Sequence, residues 1–149
     1  MIAVIQRVSS ASVAVSGETV GRCDRGLCVL LGVAKGDTEA DAEALAKKIV
    51  NLRIFEDANG KMNLSVIDVG GGILVVSNFT LLAAYKKGNR PDYMGAEVPE
   101  RANELYEYFA ALAAKDVPVG KGIFGADMKL NILNDGPVTI VMDSKVLVK

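Results

Sequence analysis

Asn134-Asp135-Gly136-Pro137-Val138-Thr139 stands between two alternating apolar segments, residues 128–132 and 138–142. A Gly-Pro step between strands removes a backbone donor, fixes φ at the proline and frees the glycine to take angles other residues avoid. It can therefore hold bare carbonyls at a fixed angle. Asn, Asp, Gly and Pro are also the usual turn formers, so an ordinary turn is the plainer reading on spacing alone. In either case residues 138–142 pair back or continue the sheet, and the stretch is to be weighed together with Ser77-Asn78-Phe79-Thr80.

Working outward, Met128, Leu130 and Ile132 alternate with Lys129 and Asn131, the pattern of a half-buried strand. Residues 1–8, rich in Ile and Val, read as a strand, and residues 13–15 and 19–21 flank a Ser16-Gly17-Glu18 hairpin connection. The apolar run 27–33 predicts a buried strand, residues 51–56 and 61–67 extended segments about a turn, and 73–76 a further strand after Gly70-Gly71-Gly72. The triple glycine precedes a strand and lacks a following Lys-Ser/Thr, so it reads as a turn rather than a phosphate cradle.

Asp37 or Thr38 can cap a helix carrying Glu39 and Asp41 in its first turn and Leu45, Ile49 and Leu52 on one face. Pro99 and Glu100 open a second, with Leu105, Tyr108, Phe109 and Leu112 as its core face. Residues 83–98 lack periodicity and carry Lys86, Lys87 and Arg90 beside Tyr85 and Tyr93. Loops of that length are often functional, the plain alternative being a solvated basic loop.

The chain of 149 residues, half apolar and 23% charged, has the composition of one globular domain, residues 1–149. No apolar run is long enough to cross a bilayer and no secretory leader is evident, which points to the cytoplasm. Cys23 and Cys28 are expected as buried thiols, too few for a disulfide framework. A net charge of −1 argues against nonspecific coating of nucleic acid but not against gripping one end of an RNA.

The chain has no histidine, which removes the usual base for a serine or threonine nucleophile and the commonest ligand for a metal site. Neither a metal nor another cofactor is expected. What remains is catalysis by positioning: amides that stabilise an oxyanion, carbonyls that orient an amine, and a proton acceptor brought by the substrate.

The opening Met1-Ile2-Ala3-Val4-Ile5-Gln6-Arg7-Val8, Arg53-Ile54-Phe55-Glu56-Asp57, Gly60-Lys61-Met62-Asn63, Ser77-Asn78-Phe79-Thr80, Gly88-Asn89-Arg90-Pro91, Gly125-Ala126-Asp127-Met128 and the 134–139 stretch together resemble the D-aminoacyl-tRNA deacylase family, in order and in separation. The resemblance covers essentially the whole chain. It implies an α+β fold, a barrel-like, largely antiparallel sheet with two packed amphipathic helices. It also implies a homodimer in which a Gly136-cisPro137 motif enters the partner's site and excludes L side chains while admitting D residues and glycine.

The resemblance further implies that Ser77, Asn78, Phe79 and Thr80 line the scissile ester, with the Phe79 amide as oxyanion donor. Arg7 would support the Gly136-Pro137 loop and Met128 would line the adenosine pocket. Outside the resemblance these read as a core Phe, a surface Arg and a core Met.

Two positions depart from the family pattern: Asn78 stands where glutamine is usual, and Ala83-Ala84-Tyr85 replaces a polar run. The expected partner is the acceptor end of D-aminoacyl-tRNA or glycyl-tRNA mischarged on tRNA-Ala, whose vicinal 2′-hydroxyl supplies the missing acceptor. Two rivals stand: a noncatalytic RNA-end or small-ligand binding module on the same fold, and a hydrolase of another acyl ester or thioester.

Overall fold

A computed structural model describes residues 1–148. The chain runs β1 (Ile2–Val15), β2 (Glu18–Cys23), β3 (Gly26–Gly32), α1 (Glu39–Val50), β4 (Phe55–Glu56), β5 (Met62–Leu64), β6 (Gly72–Ser77), a 3-10 turn (Phe79–Leu82), α2 (Pro99–Ala113), β7 (Val119–Lys121) and β8 (Lys129–Asp143).

β1 is the spine. Ser16 and Gly17 both take positive φ, 51° and 82°, the pair of angles a tight hairpin demands, and fold β2 back onto its C-terminal half. β3 pairs antiparallel with its N-terminal half, and β8 runs antiparallel along nearly its whole length. The parallel pairs β3–β6 and β6–β7 extend the sheet, and β7 comes back beside β2 to make it barrel-like and nearly closed.

Alternation along the strands sorts the core into two parts. Leu27, Val29 and Leu31 of β3 and Ile73 and Val75 of β6 meet Leu45 and Ile49 of α1 and Leu105, Tyr106 and Phe109 of α2. Cys28, Leu74 and Val76 turn the other way, onto Val8, Ala11 and Val13. Both thiols are free and buried, as expected, and burial pushes Cys28 up to about 12.

Several expectations are corrected. The residues 134–139 do not reverse the chain: β8 passes straight through them, so the turn is instead a bulge within one strand. Of residues 51–56 only Phe55–Glu56 is strand, and of 61–67 only Met62–Leu64, because the two pair only with each other, in one short ribbon outside the main sheet. The buried face of α2 is rotated: Tyr106, Ala102, Ala110 and Ala113 are buried with Leu105 and Phe109, whereas Tyr108 and Leu112 are only partly covered. The three alanines permit close approach to the sheet and carry no strong hydrophobic signal.

Asp37 and Asp41 are also more than capping residues. Asp37 is buried in an ion pair with the Met1 amino group at 2.7 Å, and Asp41 Oδ1 accepts from the Ser144 hydroxyl at 2.6 Å and from Lys145 at 3.1 Å. The start of β1, the end of β8 and the start of α1 are thereby tied together.

Candidate active site

A cleft of about 960 Å³ opens where β3 and β6 end. Its walls are Leu30 and Ser77 from the strands, Val33 just past β3, Tyr93, Met94 and Ala96 to Val98 from the long loop, the first turns of α2, and Phe124 to Met128 before β8. Ser77, Asn78, Phe79, Thr80 and Met128 all line it. Four of the five form one continuous feature, and each has a distinct local cause.

Ser77 is the last residue of β6, paired with Leu31. Asn78 continues extended, and its N–H donates to the Leu31 carbonyl at 2.8 Å, so the chain is pinned to β3 before it turns. The Asn78 side chain then caps the 3-10 turn: its Oδ1 accepts from the Thr80 N–H at 3.2 Å and from the Thr80 hydroxyl. Leu81 N–H goes to the Asn78 carbonyl at 3.3 Å. Of the backbone N–H groups of Asn78, Phe79, Thr80 and Leu81, that of Phe79 alone has no partner.

Thr80 donates its hydroxyl proton to an amide oxygen, which is no base, so nothing here activates it as a nucleophile. Phe79 is not a core residue. Its ring is 59% exposed at the rim and meets Tyr93 edge to face at 5.1 Å, forming an aromatic wall beside its own free amide. Met128 is half-buried and packs on the second core cluster, facing the cleft from the opposite side.

The cleft floor includes Tyr106, which the sequence pattern does not single out; its hydroxyl donates to the Val75 carbonyl at 2.9 Å from a fully buried position. Burial raises its pKa, so it stays a neutral donor. The charged groups lining the cleft are Lys35, Glu97 and Asp127, with Asp127 paired to Lys129 at 3.1 Å.

Gly136, Pro137 and Arg7 lie elsewhere. In the β1–β8 register Gln6 faces Thr139 and Val8 faces Asn134, so residues 135–138 stand opposite Arg7 alone and have no ladder partners. The Gly136–Pro137 peptide bond is cis, and both residues are exposed.

Arg7 is buried and fills the space beneath them: Nε donates to the Asp135 carbonyl at 3.1 Å and Nη1 to the Ile54 carbonyl at 2.8 Å. Asn134 closes the bulge, with Oδ1 accepting from the Val138 N–H at 2.9 Å and Nδ2 donating to Thr139 at 3.0 Å. Gly136 has φ 134°, and a β-carbon there would lie 2.8 Å from Val138 Cγ2 and 3.1 Å from Arg7 Nη2, so glycine is required.

Ser77 aligns through Leu31 and Ala3 with Met142, three strands across, while the bulge sits at Arg7. At strand spacings this separates the two features by roughly 13 Å along the sheet and roughly 14 Å across it. Within one chain the bulge does not reach the cleft.

The family profile for D-Tyr-tRNA(Tyr) deacylase matches residues 4–143. A protein named D-aminoacyl-tRNA deacylase from Persephonella marina is 58% identical over 147 residues, 99% of this chain and 100% of the relative. Another so named, from Koribacter versatilis, is 57% identical over 97% of this chain and 98% of its own. A solved structure named c-Myc DNA Unwinding Element Binding Protein superposes with a TM-score of 0.91 at 45% identity, covering 96% of this chain and 98% of that one. One described as a probable eukaryotic D-amino acid tRNA deacylase has a TM-score of 0.80 at 17% identity, over 95% and 97% of the two chains, which speaks to fold. With a matching profile over most of its length and full-length relatives well above half identical, the chain belongs to the D-aminoacyl-tRNA deacylase family of hydrolases.

Proposed function

We propose that residues 1–149 act as one domain that hydrolyses the ester joining a D-amino acid, or glycine mischarged on tRNA-Ala, to the terminal adenosine of tRNA, sparing L esters. The observation that carries this reading is the unpartnered Phe79 N–H at the cleft, flanked by Asn78, Thr80 and Leu81, whose backbone N–H groups are all engaged. Water attacks the ester carbonyl carbon, the Phe79 amide stabilises the resulting oxyanion, and collapse releases the ribose oxygen and the free amino acid. With no histidine in the chain, the vicinal 2′-hydroxyl of the adenosine relays the proton. Ser77 and Thr80 shape the ester pocket and Met128 packs against the adenosine.

Chirality is read by exclusion. In a homodimer the bulge of one subunit enters its partner's cleft, so that Gly136 and Pro137 present carbonyls to the α-carbon. An L side chain collides with that backbone, whereas hydrogen or a D side chain does not. The exposure of the bulge and the buried Arg7 strut beneath it support this assignment. No helix among the described residues is long and apolar enough to cross a membrane, and we assign the activity to the cytoplasm, where tRNA is charged.

The test is deacylation of matched D-tyrosyl-, L-tyrosyl- and glycyl-tRNA by the purified protein. Loss of the D and glycyl esters with the L ester spared is expected. Equal loss of all three would remove the chirality argument, and retention of all three would make the chain a binding module.

A further inference from the structure

The cleft's outer wall continues from Tyr93 and Met94 into a loop whose tip, residues 85–91, lies outside the cleft lining. Resting on the deacylase reading, we propose that residues 84–95 form a second RNA contact, a phosphate-binding rim for the acceptor stem beyond the terminal nucleotide. Lys86, Lys87 and Arg90 are its cations and Tyr85 its stacking face.

Four observations converge on this rim. First, Lys86, Lys87 and Arg90 cluster at one loop tip and, like the cleft residue Lys35, form no ion pair with any described carboxylate; Arg25, Lys47, Lys48, Arg53, Lys61 and Lys115 are also unpaired but are spread over other segments. The loop holds one carboxylate, Asp92, and its Oδ1 is taken by the Met94 N–H at 2.8 Å; neighbouring Glu97 accepts from the Val98 N–H at 2.9 Å. In a chain of net charge −1 this excess is local and does not reflect a generally basic surface.

Second, Tyr85 is 79% exposed beside these cations, and an exposed aromatic among cations suits an unpaired base or ribose flanked by phosphates. Third, the loop is braced. Ala84 and Asp92 exchange backbone hydrogen bonds of 2.7 and 2.9 Å, and its base is tied to the end of β3 by Lys35 N–H to the Gly95 carbonyl and Glu97 N–H to the Val33 carbonyl, both 2.9 Å. The cations are therefore displayed on a fixed frame, which lowers the ordering cost of binding. Fourth, Tyr93, Met94 and Ala96 to Val98 of the same segment are cleft wall, so a strand leaving the cleft on this side runs directly onto the cationic tip.

The experiment compares D-tyrosyl-tRNA with D-tyrosyl-adenosine, which keeps the reacting ester and terminal nucleoside but has no phosphates. It uses the wild-type protein, the Lys86→Gln/Lys87→Gln/Arg90→Gln variant, and a distal control with the same charge change, Lys47→Gln/Lys48→Gln/Lys115→Gln. Each phosphate contact contributes roughly 0.7–0.9 to the slope of log affinity against log salt, so the loop variant is expected to flatten the slope of kcat/KM on tRNA by about 2. Its kcat/KM on tRNA should fall at least about tenfold at low salt, the roughly additive loss of three such contacts. On D-tyrosyl-adenosine it should stay near wild type, as should the distal control on both substrates.

An unchanged salt slope on tRNA, an equal fall on both substrates, or the same effect from the distal control would overturn the phosphate rim while leaving the deacylase intact. Wild-type protein that cleaves neither substrate would instead overturn the deacylase reading and, with it, this one.

Discussion

The tip of β6 and the bulge of β8 solve the same problem in opposite senses. At residues 77–80 an asparagine side chain occupies the donors of Thr80 and leaves the Phe79 N–H free, so the backbone presents a donor. At residues 135–138 a buried arginine holds a stretch without ladder partners, in which Pro137 has no donor to offer. On the proposed reading the first offers a donor to the oxyanion and the second presents carbonyl acceptors to the α-carbon. In both, side chains hold the backbone in place, and on the proposed reading it is that backbone, with no histidine in the chain, that serves the ester hydrolysis.

The largest effect that tests this contrast comes from removing the donor itself. Phe79 opens a 3-10 turn, where proline is tolerated, and Asn78 has the extended φ of −149° that a residue before proline prefers. Phe79→Pro should lower kcat by about 10²- to 10³-fold, the usual loss of one oxyanion donor. Phe79→Ala, which keeps the amide, should lose less than about a tenth of that effect in the same single-turnover assay.

At the bulge, Arg7→Ala leaves the carbonyls of Ile54 and Asp135 without their donor and empties buried space. A destabilisation of about 2–3 kcal/mol in denaturant titration is expected, together with weaker discrimination against the L ester. Unchanged stability would mean that the bulge holds itself.

A smaller effect is expected from acid. Burial works to raise the Asp41 carboxyl, but hydrogen bonds from Ser144, the Thr38 N–H and Lys145, with the Lys145 charge, outweigh it and hold the group well below the usual carboxylate range. Its contribution is full above the ordinary carboxylate pKa of about 4 and is lost as pH falls below it toward the depressed folded value. Stability should therefore drop on acidification below about pH 4, and Asp41→Asn should flatten that limb.

The smallest effect concerns the cysteines. With burial raising both thiols, neither should be alkylated in native protein at neutral pH, and both should react once it is unfolded.

Much of the scaffold was legible because its signals are local. The unbroken apolar run at β3 belongs to a strand covered on both faces, and the Thr38 and Pro99 helix starts follow from capping chemistry. The 134–139 stretch was not, since the same Asn, Asp, Gly and Pro serve a reversing turn or a bulge, and pairing with β1, more than a hundred residues away, decides between them. Arg7 looks like any polar residue in an alternating strand until the bulge opposite leaves it room. Asp37 and Asp41 resemble exposed helix-start acids, and only the arrival of Met1, Ser144 and Lys145 from distant segments accounts for their burial. Ser77, Asn78, Phe79, Thr80 and Met128 came from recognisable motifs, and the resemblance also named the Phe79 amide, whereas Tyr106 on the cleft floor belongs to a helix face that reads only as core.

The claim that the two backbone features meet across a twofold axis can be tested by mixing variants. Phe79→Pro and Gly136→Ala each damage one feature, and subunits of the two are unfolded and refolded together. If sites are completed in trans, half the dimers are mixed and each has one intact site, so D-selective activity should return to about a quarter of wild type. Activity no greater than that of the two variants measured separately would contradict completion in trans.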